Sequence, residues 1–224
     1  MYKRQVCVLF AVVFILVETG NATRHMRSML VPICINIILA VSLNLTVGFL
    51  GELTLGHAGF MSVGAYAGCL FSIAMEEILP MALRFPLAML VGGFVAAFFG
   101  VLIGIPVLRL QGDYLAIVTL AFGEIIKELI NCLIIGCDEK GLHFVFNLSG
   151  NKTVDDLGLS ANGTAIIKGA QGATGTATIA TFTAGFILVM ITLIVVLNLT
   201  RSRAGRAIMA IRDNRIAAQA IGLN

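Results

Sequence analysis

The sequence predicts an all-α fold, a polytopic bundle of about six transmembrane helices, on three observations. Of the 224 residues, 58% are hydrophobic and only 12% are charged, against about 25% charged in a soluble domain. Apolar runs recur along the chain, most of them long enough to cross a hydrocarbon core of about 30 Å at about 1.5 Å per helical residue. Positive charge gathers at the ends of those runs, where it sets orientation. The net charge is only +3, and no basic patch suited to nucleic acid is present.

The first apolar run, Val6 to Val17, has 12 residues and follows Lys3 and Arg4. A basic start, a short apolar stretch and Gly20-Asn21-Ala22 also fit a cleavable signal peptide. A retained helix is preferred. The second run extends from Met29 to about Val47, the third from about Ala58 to Met75 and the fourth from Phe85 to Leu108. The fifth covers Tyr114 to Ile135 and the sixth Ile179 to Leu199. Arg201, Arg203, Arg206, Arg212 and Arg215 follow the sixth run and mark its end as cytoplasmic. Six spans then put the N-terminus on the same side, although Arg24 and Arg27 fall outside. The Ile135 to Thr178 loop also lies outside. It is polar and rich in Gly and Thr, and loops of that length are uncommon without a role. It either docks a partner or is an ornament.

Small residues are expected where helices meet in lipid. The fourth run carries Gly92, Ala96, Gly100 and Gly104, one every fourth position, and the third carries Gly64 and Gly68. Five cysteines (Cys7, Cys34, Cys69, Cys132, Cys137) lie mostly within apolar runs and read as small core residues, with neither a disulfide framework nor a metal site. Cys132 and Cys137 are near enough in sequence to pair.

Three segments carry the functional reading. In Asn44 to Tyr66, Gly48, Gly51, Gly56 and Gly59 crowd around Glu52 and His57. So many glycines weaken a continuous helix, and broken helices at membrane depth often line a cavity or a substrate path. An ordinary cytoplasmic turn between two spans, with His57 capping or satisfied by backbone, is the preferred account. In Arg109 to Glu128, Gly112 and Asp113 suit a turn and the start of a helix. Tyr114 belongs at the interface, and Glu124 lies about 15 Å deeper. Lys127 and Glu128 follow on the same helical face. Each lone charge at the bilayer centre costs on the order of 3 kcal/mol, so Glu124 either pairs with Lys127 between helices or lines a polar path. In the third segment, Thr200 to Asn224, Asp213 is a candidate N-cap. Ala217 and Ala218 are followed after three residues by Gly222, as in a short small-faced helix closed by a glycine.

These segments strongly resemble the permease subunits of the high-affinity branched-chain amino acid ABC importer family. The motifs are Asn44 to Tyr66 (NLTVGFLGELTLGHAGFMSVGAY), Gly112 to Ile125 (GDYLAIVTLAFGEI) and Ser202 to Gly222 (SRAGRAIMAIRDNRIAAQAIG). All three are similar to the same one of the family's two paralogous membrane subunits. The last resembles the loop by which ABC permeases grip their ATPase, with Ile216 standing where the family places a Glu. The resemblance implies that Arg212, Asp213, Arg215, Ile216, Ala217, Ala218 and Gly222 couple to the ATPase. Glu52, His57, Glu124, Lys127 and Glu128 are the candidate lining of the path. It implies a single transmembrane permease domain over 1–224, an external loop over 136–178 and a cytoplasmic coupling loop over 200–224. It also supports keeping Val6 to Val17 as a helix.

The implied setting is a bacterial or archaeal plasma membrane, with both termini cytoplasmic. The implied partners are a second permease subunit, two cytoplasmic ATPase subunits, an extracytoplasmic substrate-binding protein and the lipid bilayer. No cofactor and no nucleic acid are implied. The chain lacks a G-x-x-x-x-G-K-S/T phosphate-binding motif, so it is not expected to be an enzyme. Leucine, isoleucine and valine are the implied substrates, with urea or short amides open. The segment before the sixth run departs from the family in lacking proline, and the natural product is expected to continue beyond Asn224 into at least two more spans. An ion- or proton-coupled secondary carrier using Glu124, Lys127 and Glu128 is the competing reading.

The topology is open to test by single cysteines introduced at Arg203 and Lys152 after replacement of the native cysteines. An impermeant thiol reagent added to intact cells should label position 152 and spare position 203. The reverse pattern would overturn the six-span arrangement.

Overall fold

A computed structural model describes residues 2–18, 23–76, 78–107, 109–110, 112–138, 141–147, 164–173, 180–220 and 222. Helices form at all six apolar runs: α1 (Tyr2–Glu18), α2 (Arg24–Asn44), α3 (His57–Ala74), α4 (Met81–Val107), α5 (Asp113–Asn131) and α6 (Phe182–Arg201). Two shorter helices follow, α7 (Arg203–Asp213) and α8 (Arg215–Ala220). Four stretches are long and apolar enough to cross a membrane: His25–Leu50, His57–Ala74, Met81–Val107 and Phe182–Arg201. The remaining two helices differ for separate reasons. α1 has 17 residues, and α5 carries Glu124, Lys127 and Glu128 close together. Many outward-facing positions are large and apolar, as with Leu90 and Phe94, which are 70% and 81% exposed. Such a surface suits lipid or neighbouring helices rather than water.

The chain divides into two compact units, Met1–Gly51 with Ala180–Asn224, and Glu52–Ile179. In the first, α2 packs along α6, where Gly185 sits against the Cys34 side chain. The Phe10 ring of α1 stacks on Phe186 with centroids 3.6 Å apart and on Phe182 at 5.3 Å. Arg27 donates to the Val17 carbonyl at 3.1 Å, placing a cation at the C-terminal end of α1, where helix carbonyls lack partners.

In the second unit α3 packs against both α4 and α5. A Cβ on Gly64 would stand 3.2 Å from the Gly92 carbonyl oxygen, and one on Gly68 would stand 2.9 Å from that of Ala88. Backbones approach this closely only where side chains are missing. The expected ridge on α4 is used only in part. Gly92 and Ala96 meet α3, whereas a Cβ on Gly100 or Gly104 would meet nothing within 4 Å. Steps of four residues advance about 40° around a helix, so by Gly104 the ridge has turned away from α3. A core of Ile103, Val107, Leu115 and Ile126, with Phe60 and Phe122 against it, closes the junction of α3, α4 and α5.

The segment expected to be a loop after the fifth run forms a small antiparallel sheet of strand order β2-β1-β3, with β1 (Leu133–Asp138), β2 (Gly141–Phe146) and β3 (Thr164–Lys168). The fifth run therefore stops being helical at Asn131, short of Ile135. Its last apolar residues pair in register as Leu133 with Phe146 and Ile135 with Phe144. Branched and aromatic side chains suit this pleated, half-covered surface. Ile135, Ile166 and Ile167 are buried and pack with Tyr66, Cys69, Leu70 and Ile73 of α3, so the sheet rests on the helix. Cys34, Cys69 and Cys132 are free thiols, which rules out a Cys132–Cys137 bridge.

The two glycine environments on α4 should respond in opposite ways. Gly92→Ala places a methyl against the Gly64 carbonyl and should cost about 1–3 kcal/mol of stability. Gly100→Ala meets open space and should gain up to about 1 kcal/mol from helix propensity. Thermal unfolding of the purified protein in detergent would show the melting temperature falling for the first and holding or rising for the second.

Candidate functional site

The glycine-rich stretch does not form one continuous helix. α2 passes into a π-helical turn, Leu45–Leu50, and Gly51 ends it at φ 75°. Residues 51–56 have no helical pairing, and α3 begins at His57. Glu52 is exposed and His57 is half-buried.

What fixes the start of α3 is its crossing with α5. The buried Thr119 hydroxyl accepts from the Leu55 amide at 3.1 Å and donates to the Ala116 carbonyl at 3.0 Å. Gly56 lies directly against the Thr119 backbone, and a Cβ on Gly59 would stand 3.0 Å from the Gly123 Cα. Two of the crowded glycines therefore serve close helix packing. The crossing also brings the α3 start to the turn of α5 just before Glu124.

On α5, Lys127 Nζ donates to Glu124 Oε2 at 2.8 Å. Both side chains are 60% exposed, so the pair forms but is not enclosed between helices of this chain. Glu128 is likewise exposed, as is Tyr114 at the helix start. The pair thus faces whatever lies beside this surface. An exposed ion pair of this kind adds little to stability, typically below about 1 kcal/mol.

The C-terminal loop is two helices and two corners. Ser202 caps α7, its Oγ accepting from the Gly205 amide at 3.0 Å. Asn214 takes an extended conformation between α7 and α8, and its Oδ1 accepts from the Ala217 amide at 3.0 Å. The N-cap of α8 is therefore Asn214, one residue beyond the expected Asp213. Asp213 ends α7, where its carboxylate accepts from Arg212 at 3.0 Å. Gly222 has φ 84°, the left-handed conformation of a helix-closing glycine. The two alanines separate: Ala218 is 3% exposed, while Ala217 is exposed and Ile216 is 81% exposed. Ile216, Ala217, Gln219 and Ala220 are exposed and form the open face. Arg215 is within α8.

Two features here escape sequence reading. Arg84, on α4, is buried and pairs with Glu76 at 3.2 Å; a lone arginine within an apolar region was the available signal. Arg212 donates to the Gly48 carbonyl at 2.5 Å, a link between residues too far apart in sequence for spacing to suggest. Among the described residues no cluster of His, Cys, Asp and Glu has the makings of a metal site.

These features define a helical membrane protein with a π-helical end to its second span, an open charged pair on α5 and a basic helical loop after α6. The chain belongs to the family described as branched-chain amino acid transport system, permease component, whose sequence profile matches residues 26–224. It is 36% identical over 201 residues to the high-affinity branched-chain amino acid transport system permease protein LivM of Escherichia coli (strain K12). It is 35% identical over the same length to the protein of that name from Salmonella typhimurium (strain LT2). Each alignment takes in 85% of this chain and 44% of the relative, so the chain spans under half the length of the curated relatives it matches. No solved structure matches. Membership in this family does not favour the ion- or proton-coupled carrier.

Proposed function

We propose that this chain is a membrane subunit of an ATP-driven importer for the branched-chain amino acids leucine, isoleucine and valine. It contributes to the translocation path and has no catalytic chemistry of its own. A second permease subunit completes the path, an extracytoplasmic binding protein delivers substrate, and two ATPase subunits act from the cytoplasm. The chain is a single permease domain whose termini both lie on the cytoplasmic side of the plasma membrane. Segment 136–178 is external, and 200–224 is the coupling loop. The observation that carries the reading is the family match running through α7 and α8, which form a compact basic loop with an open face of Ile216, Ala217, Gln219 and Ala220. The small alanines of such a face let it enter a groove on a partner. Asp213, Ala218 and Gly222 hold that face in position, with Arg212 and Arg215 beside it in the chain. ATP-driven closure of the partners then rocks the helices between outward- and inward-open states.

A wedge at the open face tests the coupling. In membranes holding this chain with its copurifying subunits, Ala217→Trp should insert normally and cut leucine uptake at least tenfold. Undiminished uptake with undiminished ATP hydrolysis would reject the role of α8.

We further propose that Glu52, His57, Glu124, Lys127 and Glu128 line the path. The openness of the Glu124–Lys127 pair supports this, because a pair serving only to neutralise itself belongs inside the bundle. The double variant Glu124→Gln, Lys127→Met carries no net charge change at this pair. It should assemble with its partners yet transport leucine about tenfold more slowly. Full transport by that variant would assign the pair a purely structural part.

A further inference from the structure

We infer that Arg212 is a positioning residue that straps the coupling loop to the interrupted end of the second span. This rests on the reading of α7 and α8 as the loop on which an ATPase acts. The guanidinium turns back from the last turn of α7. Its Nη1 donates to the Gly48 carbonyl at 2.5 Å, and its Nε and Nη2 donate to Asp213 Oδ1 at 3.1 and 3.0 Å. Asp213 thus fixes the plane of the fork, and Gly48 receives the remaining arm. Gly48 lies in the π-helical turn Leu45–Leu50, whose terminal carbonyls lack partners further along the helix and attract a cation.

Gly51 is shaped for the same contact. It has φ 75°, and a Cβ there would stand 2.8 Å from Cδ and 2.9 Å from Cγ of Arg212. The bare face of Gly51 is the seat of the arginine stem. Any side chain at position 51 would strain the backbone and dislodge the arginine together.

The other end of α7 is equally constrained. Ser202 caps the helix, and Gly205 lies against the backbone of Leu199 and Thr200 at the end of α6. α7 is therefore a crosspiece pinned to α6 at one end and to the end of the second span at the other. Asn214, extended between α7 and α8, carries a pull on α8 directly to Asp213 and Arg212. Without the strap, α7 would swing about the Ser202 corner and move α6 alone. With it, one displacement reaches the break that leads to Glu52.

A planar fork that binds two acceptors at once is a property of arginine. A lysine can still reach the Gly48 carbonyl but cannot also make the two bonds to Asp213.

The test uses proteoliposomes holding this chain with its copurifying subunits, read as leucine imported per ATP hydrolysed. Arg212→Ala should retain the bound ATPase and its hydrolysis while the ratio falls about tenfold. Arg212→Lys should recover part of that loss. Gly51→Ala should lower the ratio similarly, and the Gly51→Ala, Arg212→Ala pair should be no worse than Arg212→Ala alone, because both changes remove one contact. If Gly51→Ala fails to insert, the alanine and lysine variants at 212 decide the matter. A wild-type ratio in Arg212→Ala overturns the strap. So does loss of the ATPase from that variant, which would place Arg212 at the partner's surface, and so do additive losses in the double variant. If the wild-type chain retains no ATPase, the reading of the loop itself fails and the strap fails with it.

Discussion

The second unit depends on how closely the backbone of α3 approaches its neighbours. In lipid no hydrophobic force draws one apolar helix to another, because the acyl chains are as apolar as leucine. Association has to come from contact area and from backbone proximity. Gly56 and Gly59 provide that proximity toward α5, and Gly64 and Gly68 provide it toward α4. The two pairs lie on different sides of one helix, so α3 is held between two partners. The sheet then rests its buried Ile135 and Ile167 on the C-terminal half of the same helix. The position of α5, and with it of Glu124 and Lys127, follows from the contacts at Thr119 and Gly123.

The first unit adds polar contacts at helix ends to the small-residue contact of Gly185 with Cys34 along the faces of α6 and α2. Arg27 on the Val17 carbonyl, Ser202 on the Gly205 amide, Asn214 on the Ala217 amide and Arg212 on the Gly48 carbonyl are all terminal bonds. Helix ends expose backbone groups that require partners, and they are also where a chain changes direction. The same bonds that satisfy the backbone therefore set the corners of the loop. A segment held at its corners moves as one piece.

The helices at the six apolar runs were legible because hydropathy is summed over some twenty residues, and four of the helical stretches are long and apolar enough to cross a membrane. The break near Gly51 was legible because glycines that dense are poor helix formers. The sheet was not: its strands are short, the apolar half of β1 continues the hydropathy of α5, and the alternation in Leu142 to Phe146 is brief. The cap of α8 was misplaced by one residue because Asp213 and Asn214 are comparable caps, and only the hydrogen bond to Ala217 separates them. The role of Ala218 was similarly hidden, since spacing marks two alanines but does not say which turns inward. The partner of Arg212 is 164 residues away, beyond any local pattern.

The charges on α5 also bear on how the protein is made. Glu124, Lys127 and Glu128 each cost on the order of 3 kcal/mol near the centre of a bilayer, and the exposed bond between the first two offsets only part of that. Released singly into lipid, α5 would be a poor candidate to stay there. α3 and α4 precede it in the chain, and the bare surfaces at Gly56 and Gly59 that receive it lie at the start of α3. α5 is not among the four stretches apolar enough to cross a membrane by themselves, so the bare surface of α3 is the partner that lipid cannot be for it.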